Sequence, residues 1–431
     1  MIDALAPDRE ESMGDSLGNR NLRRAQYRGL EQAFGRCLLK DFQELRGVAA
    51  GGAIRLDPAP APPACPGAGA APRRPLPRGA GSPMVAGMTA KFVTLPEIRQ
   101  AARRRLPREV YNFGAGGAET ETTLRRNRRA LSRLAIRQHV LVDAREIDLE
   151  TTLLGVPLSW PVAVAPMGGL VLFHPEGDVE MARGAGRADT LQFLSGATGW
   201  PVEEVAGANP GPKMFQLYHH GDRGWVADLL ARVEASGYLA VCLTVDVQVY
   251  GRRERDIVAR WDPRAAMSSA PNPRGPDPDY QARLTWDDVA WLKKTTRLPI
   301  GLKGIMTAED ASRAVEAGVG LIWVSNHGGR QLDQTQASVE ALHAVVEAVA
   351  GRADIVVDGG FSRGTDVIKG LALGATVVAL GRTVLWGLGA GGADGVACAL
   401  GILRSELRTA LALCGRTSVK GLSPDLLVRV A

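Results

Sequence analysis

Eight short apolar runs, at residues 161–167, 191–196, 213–218, 239–246, 299–304, 321–327, 354–360 and 376–382, constrain this chain more than any other feature. Each is short for a helix and too continuously apolar to present one wet face, so the strands they form must be covered on both sides. Between most of them lie amphipathic helical segments, for example 225–236, 308–317, 338–349 and 365–373. Strand and helix alternating over about 220 residues predict a parallel sheet sheathed in helices, and eight such repeats close it into a (β/α)8 TIM barrel of the α/β class. A doubly wound open sheet is the other architecture the pattern admits.

A barrel places its chemistry at the C-terminal ends of its strands. Few polar residues interrupt the strand bodies here. The ends carry Pro166-Met167-Gly168, Ser195, Gln216-Leu217-Tyr218, Thr244-Val245-Asp246, Lys303, His327 with Arg330, Asp358-Gly359-Gly360 and Gly381-Arg382. Helix capping accounts for any one of these alone, but not for all of them at one rim. The densest end is Ser325-Asn326-His327-Gly328-Gly329-Arg330-Gln331-Leu332-Asp333. An imidazole titrates near neutrality and a guanidinium grips a carboxylate through two parallel hydrogen bonds, so His327 and Arg330 read as a base beside an anion clamp. Gly328 and Gly329 allow a tight turn and a close approach to a flat ligand. After the last two strands, Asp358-Gly359-Gly360-Phe361-Ser362-Arg363-Gly364 and Gly381-Arg382 are glycine-rich turns that open helices. In barrels this is where phosphate binds, and a phosphate-bearing cofactor is expected there.

Several function classes are excluded. The 52 Lys plus Arg against 46 Asp plus Glu leave a modest net charge of +6. Basic runs such as Arg103-Arg104-Arg105 and Arg125-Arg126-Asn127-Arg128-Arg129 have no aromatic platform beside them, so they read as solvated helix faces and not as a nucleic-acid site. Five cysteines (Cys37, Cys65, Cys242, Cys398, Cys414) without C-x-x-C spacing argue against a disulfide framework or zinc and fit a reducing compartment. No run approaches the roughly eighteen consecutive apolar residues of a membrane span, and the chain opens on Asp3, Asp8, Glu10 and Glu11. A soluble, cytoplasmic protein is expected. Residues 48–87, dominated by Ala, Gly and Pro, cannot bury enough apolar area to order themselves, and 20–46 could form one short amphipathic helix. Residues 1–90 are therefore expected to be a dispensable, low-complexity extension, with Met84 and Met88 as candidate starts, and 91–425 to be the catalytic domain.

Residues 93–425 resemble the FMN-dependent L-2-hydroxy acid oxidases and dehydrogenases, the group of glycolate oxidase, lactate oxidase and mandelate dehydrogenase. The resemblance is carried by the 325–333 motif, Gly251-Arg252-Arg253-Glu254-Arg255-Asp256, His174-Pro175-Glu176-Gly177, Phe215-Gln216-Leu217-Tyr218, and Asp358-Gly359-Gly360 followed by Arg363-Gly364-Thr365-Asp366. It implies that His327 is the active-site base, with Asp246 orienting it. Arg330 and Arg253 would bind the substrate carboxylate, and Tyr218 would donate to the substrate's oxygen atoms. Lys303 would sit beside the N1–C2=O edge of the flavin. Pro166, Met167, Gly168, Ser195, Gln216, Thr244 and Ser325 would line the isoalloxazine, while Asp358, Gly359, Gly360, Phe361 and Ser362 with Gly381 and Arg382 would hold the ribityl phosphate. The implied partners are a small 2-hydroxy acid and an electron acceptor, O2 or another redox partner, and the implied assembly is a homotetramer. The chemistry is self-consistent, since taking two electrons from an α-C–H needs a sink that no side chain supplies. Two alternatives stay open: another FMN barrel such as type 2 isopentenyl diphosphate isomerase, and a flavin-binding barrel without turnover.

Four positions depart from the family pattern. Phe113 stands where glycolate and lactate oxidases carry a substrate-binding Tyr, which removes one hydroxyl contact worth about 1 kcal/mol. Gly196-Ala197 replaces a bulky Trp of glycolate oxidase, implying room for a larger or aromatic substrate. Gly168 is Ala in the oxidases and Gly in mandelate dehydrogenase, which favours a larger substrate and an acceptor other than oxygen. Ser362 replaces an Arg that often touches the phosphate. The Pro-rich segment 257–281 is shorter than the family's mobile loop and has no apolar run of the kind that anchors mandelate dehydrogenase to membranes.

Overall fold

The computed structural model describes residues 92–266 and 278–430, all within one compact unit, Val85–Ala431. The expected extension, 1–90, lies outside the described residues, as does the middle of the 257–281 segment. All eight expected strands form: β1 Val162–Val164, β2 Leu191–Ser195, β3 Lys213–Leu217, β4 Val241–Thr244, β5 Ile300–Ile305, β6 Leu321–Val324, β7 Asp354–Val357 and β8 Val377–Leu380. They pair in parallel in sequence order, and β8 returns to β1 through Val378↔Val162 and Leu380↔Val164, which closes the barrel. An open doubly wound sheet is thereby excluded. Most of the strands stop one to three residues short of the expected ends, because Gly196, Tyr218, Asp246 and His327 have already left the ladder for the loops.

The apolar pattern has two destinations. One core lies between the sheet and its helices and holds, among others, Val162, Val164, Leu194, Leu217, Leu243, Ile322 and Leu380. The alternate residues point inward and form a second core from Ala163, Ala165, Leu191, Phe193, Met214, Cys242, Leu321, Trp323, Val356 and Ala379. This is the period of two expected of a strand, with both faces dry. Leu153 and Leu158, from the hairpin Thr151–Leu153/Val156–Leu158, join the inner core as its plug. Phe193 meets Trp323 edge-on, with ring centroids 4.7 Å apart.

Among the described residues, three helices precede the barrel: α1 Leu95–Arg105, capped by Thr94, α2 Arg108–Ala115 and α3 Thr122–Ser132. A short strand, Leu134–Ile136, follows them and pairs antiparallel with Leu427–Arg429, so the segment before the barrel is clasped to the segment after it. The helix after β8, Arg382–Leu413, is apolar and long enough to cross a membrane, but 67% of its most apolar window is buried inside the protein. It is two core helices joined at a kink where Gly391 and Gly392 leave helical geometry.

Candidate active site

Continuing the inward alternation by one residue on each strand gives the top layer of the barrel: Met167 after Ala165, Ser195 after Phe193, Gln216 after Met214, Thr244 after Cys242, Ser325 after Trp323, Asp358 after Val356 and Gly381 after Ala379, with Lys303 on β5. Below this layer the inward side chains are apolar except Asp354 at the base of β7, which accepts the Leu154 N–H of the plug hairpin. At the layer itself, nearly every one is polar. Ser195 donates to Gln216 Oε1 at 3.0 Å, which leaves Gln216 Nε2 buried without a partner, and Thr244 Oγ1 is likewise buried and unpartnered. Such atoms are costly to bury unless a ligand meets them. Lys303, fully buried, donates to Ser325 Oγ at 3.1 Å and lies 4.0 Å from Asp358. Burial disfavours its charge, but Asp246 and Asp358 outweigh that and raise its pKa, so it stays cationic.

Above Lys303 stands His327. Its backbone is left-handed, φ +57, and its N–H bonds to Ser325 Oγ at 3.0 Å. Nδ1 lies 3.2 Å from both oxygens of Asp246. Burial lowers the His327 pKa and Lys303 lowers it further, against the pull of Asp246, so the ring is neutral at pH 7. Burial pushes the Asp246 carboxyl up, yet Lys303 and His327 bring it below its ordinary value. An ionised Asp246 accepts from Nδ1–H, which puts the free lone pair on Nε2.

Two guanidiniums share the aromatic face of Phe113: Arg330 Cζ lies 4.9 Å and Arg253 Cζ 5.6 Å from its centroid. Arg330 commits only Nη1, to the carbonyls of Phe113 (2.6 Å) and Gly116 (2.8 Å). Arg253 Nε is buried without a partner, and its Nη1 meets the Tyr250 hydroxyl, whose ring lies 4.0 Å from the guanidinium. Burial and mutual repulsion hold Arg330 well below its usual pKa, and an anion between the pair would relieve both costs. Burial raises the Tyr218 hydroxyl to about 12, so it is a donor at neutral pH.

These groups line one cleft of about 1790 Å³. Phe113, Pro166, Met167, Gly168, Tyr218, Arg253, Lys303, His327, Arg330, Asp358, Gly359, Gly360, Phe361, Ser362, Gly381 and Arg382 all reach it. Ser195, Gln216, Thr244, Asp246 and Ser325 lie directly beneath. At the cradle after β7, Gly359 and Gly360 are left-handed at φ +100 and +87, and the N–H groups of Gly359, Gly360 and Phe361 make no hydrogen bond among the described residues. The first turn of the helix opening at Arg382 adds further free N–H groups.

Three expected roles change in detail. Arg382 donates from Nε, Nη1 and Nη2 to the carbonyls of Gly114, Gly328 and Gly116. Its guanidinium is therefore a staple for the chain, and its backbone N–H makes no hydrogen bond among the described residues. The Asp358 carboxylate is held by Ser325 (2.8 Å) and by the Trp323 indole (3.1 Å), so it braces the floor. Gly328 and Gly329 do make the expected tight turn, but the surfaces they approach closely are Arg382 and the backbone of Leu124.

Comparison with known proteins fits this geometry. Residues 102–429 match the FMN-dependent dehydrogenase family. The chain belongs to that family. It is 43% identical over 341 residues to a peroxisomal (S)-2-hydroxy-acid oxidase of Oryza sativa subsp. japonica, covering 76% of this chain and 93% of the relative. It is also 41% identical over 356 residues to an L-lactate oxidase of Nostoc sp., covering 78% and 98%. Among solved structures, a mandelate oxidase with (S)-2-phenylpropionate superposes with a TM-score of 0.70 at 39% identity, covering 78% of this chain and 98% of that one. This FMN-dependent dehydrogenase is thus an oxidoreductase, and the alternative of an isopentenyl diphosphate isomerase-like barrel falls away. The residues fit FMN: Gln216 Nε2, Thr244 Oγ1 and the Lys303 ammonium offer donors to the ring's nitrogen and oxygen edge, and the unbonded N–H groups after β7 suit its phosphate.

Sequence reasoning missed two supports. Tyr250 is held against Arg253 by a loop with no periodic signal. Asn127, on α3, exchanges hydrogen bonds with Asn326 at 2.9 and 2.8 Å and so anchors the strand end that carries His327.

Proposed function

We propose that this FMN-dependent dehydrogenase oxidises an L-2-hydroxy acid to the 2-oxo acid, with His327 as base and Arg330 and Arg253 binding the carboxylate. The observation that carries the reading is the neutral imidazole, backed at 3.2 Å by Asp246, opening into the same cleft as two guanidiniums with uncommitted donors. Arg330 offers Nε and Nη2, and Arg253 its orphaned Nε, so a carboxylate between them makes charge-assisted bonds and fixes the α-carbon's orientation. The Tyr218 hydroxyl donates to a substrate oxygen. His327 Nε2 takes one proton, and Asp246 stabilises the imidazolium that results. FMN, when bound, supplies the two-electron sink that the side chains lack.

Support for a bulky or aromatic substrate tail comes from the cleft wall. Ala197 leaves space, and Phe113 is flanked by Trp261 (5.8 Å, edge-on) and Phe173 (6.4 Å). The mandelate oxidase structures among the relatives accord with it. Oxygen is the proposed acceptor because the relatives named above are oxidases, while Gly168 favours a different one. A soluble, cytoplasmic homotetramer is proposed on the family resemblance and the polar 257–281 segment.

The test is anaerobic: purified yellow protein is mixed with glycolate, L-lactate, (S)-mandelate or longer L-2-hydroxy acids, and the flavin absorbance is followed. Bleaching is expected, fastest with an aromatic acid. No bleaching with any of them refutes the reading. Admitting air and measuring peroxide then distinguishes oxygen from another acceptor.

A further inference from the structure

Helix α3 carries an arginine-rich face that the roles proposed above leave unused, although Arg125 also reaches the edge of the active-site cleft. At about 100° per residue, Arg125, Arg126 and Arg129, with Arg133 at the C-cap, fall within an arc of about 100°. Together with Glu340 they line a groove of about 530 Å³ between α3 and the start of the helix Ser338–Val349.

Their partners set them apart from the rest of the helix. Arg128, just outside that arc, is paired with Asp366 at 2.6 Å. Arg126 donates to the Thr335 carbonyl, Arg125 reaches only the Thr122 hydroxyl at 3.4 Å, and the side chains of Arg129 and Arg133 have no ion pair or hydrogen bond among the described residues. The groove's one carboxylate, Glu340, already accepts the Ala337 N–H at 3.0 Å, and nearby Glu121 is bound to Arg255 at 2.6 Å. Like charges four residues apart repel, so Arg125–Arg129 and Arg129–Arg133 weaken the helix that bears them. The helix dipole favours cations in the last turn, which accounts for Arg129 and Arg133. It opposes Arg125 and Arg126 in the first half of the helix, where neither has an ion pair within 4 Å among the described residues and only the charge of Glu121, already bound to Arg255, acts on Arg125.

We infer that this groove binds a small polyphosphate anion. Arg125 to Arg133 spans eight residues, about 12 Å of helix, and four guanidinium forks over that length offer more donors than a single phosphate can accept. Arginine suits the linked, multiply charged oxygens of a polyphosphate, whereas the cleft's own arginines are spoken for by the chain and the site proposed above.

The experiment uses the full chain with its FMN bound, titrated calorimetrically with sodium tripolyphosphate at low salt. One equivalent is expected to bind, more weakly as KCl is added. The Arg129→Gln/Arg133→Gln variant should bind at least tenfold more weakly with its flavin absorbance unchanged. The exposed pair Arg104→Gln/Arg108→Gln should bind as wild type. Equal weakening by the control pair, an unaffected groove variant, or FMN release accompanying binding would each overturn the proposal. So would groove-dependent binding of poly-glutamate without binding of tripolyphosphate, which would make this a docking face for an acidic protein. Should the double variant not fold, Arg129→Gln alone must weaken binding at least threefold. Vesicles containing phosphatidylinositol bisphosphate separate the sources: groove-dependent sedimentation identifies a lipid headgroup, and its absence alongside tripolyphosphate binding identifies a soluble ligand.

Discussion

Replacing Asp246 by Asn tests the proposed acid–base pair most directly. Both carboxylate oxygens lie 3.2 Å from His327 Nδ1, and both side chains are largely buried, at 14% and 19% exposure. A hydrogen bond to a charged group is worth about 1.5–3 kcal/mol, and the length of these two places them at the lower end. Asn cannot stabilise an imidazolium in that way, so the expected loss in the rate of anaerobic flavin reduction is about 10- to 30-fold. The pH dependence carries a sign. Asp246 raises the His327 pKa, so removing it should move the acid limb of the rate downward. Lys303→Met removes a charge that depresses the same imidazole, and should move the limb upward. Stopped-flow reduction from pH 4.5 to 8 reads both. If Asp246→Asn reduces at the wild-type rate, or if the two variants shift the limb in the same direction, the assignment of His327 as base is wrong.

Other expectations follow from packing and charge. An Ala at position 168 would place its Cβ 2.8 Å from Ala197 Cβ, closer than real Cβ atoms come, so Gly168→Ala should cost about 1–3 kcal/mol of stability. Adding Ala197→Gly should restore most of it, and additive losses in the double variant would show that the two positions are uncoupled. Asp178 is fully buried, with one oxygen unpartnered, and burial raises its pKa to about 7. Because the folded form holds its proton more tightly than the unfolded chain, this residue costs stability progressively from about pH 4 to pH 7. Asp178→Asn should therefore raise the thermal midpoint at pH 8 and leave it nearly unchanged at pH 4, and an equal effect at both would contradict the titration. Phe113→Tyr restores a hydroxyl near the two guanidiniums, and should lower KM for the hydroxy acid by up to about fivefold, one neutral hydrogen bond's worth.

The legible part of this protein is what strand periodicity governs. Once Ala163–Ala165, Phe193 and Met214 are recognised as inward-facing, the polar top layer at Ser195, Gln216 and Thr244 follows by counting two residues forward. His327, Asp246 and Arg330 were legible because loops that leave strand ends inherit their position from those strands. What stayed hidden depends on contacts between distant segments. The Arg382 staple joins residues about 270 positions apart, and Asn127 meets Asn326 across 199. Neither leaves a local signal, since an arginine or asparagine on a helix or turn is ordinary by itself. The glycines at 328, 329, 359 and 360 mislead in the other direction: their freedom is used to fit Arg382, Leu124, Ser338 and Asn127 as well as any ligand.

The late positions in the chain of β8, which closes the barrel on β1, and of Leu427–Arg429, which clasps Leu134–Ile136, have a consequence for biosynthesis. His327 leaves the ribosome about 100 residues ahead of the clasp, roughly 5–20 s at ordinary elongation rates. For the first half of that interval, until β8 and Gly381 follow about 50 residues later, the nascent chain carries base, carboxylate and lysine on an open sheet, without the Gly381 turn or the closing seam. Flavin capture therefore has to wait for β8, and a truncation between Asp333 and Val377 should yield a colourless product even though every residue proposed for proton transfer and carboxylate binding is present.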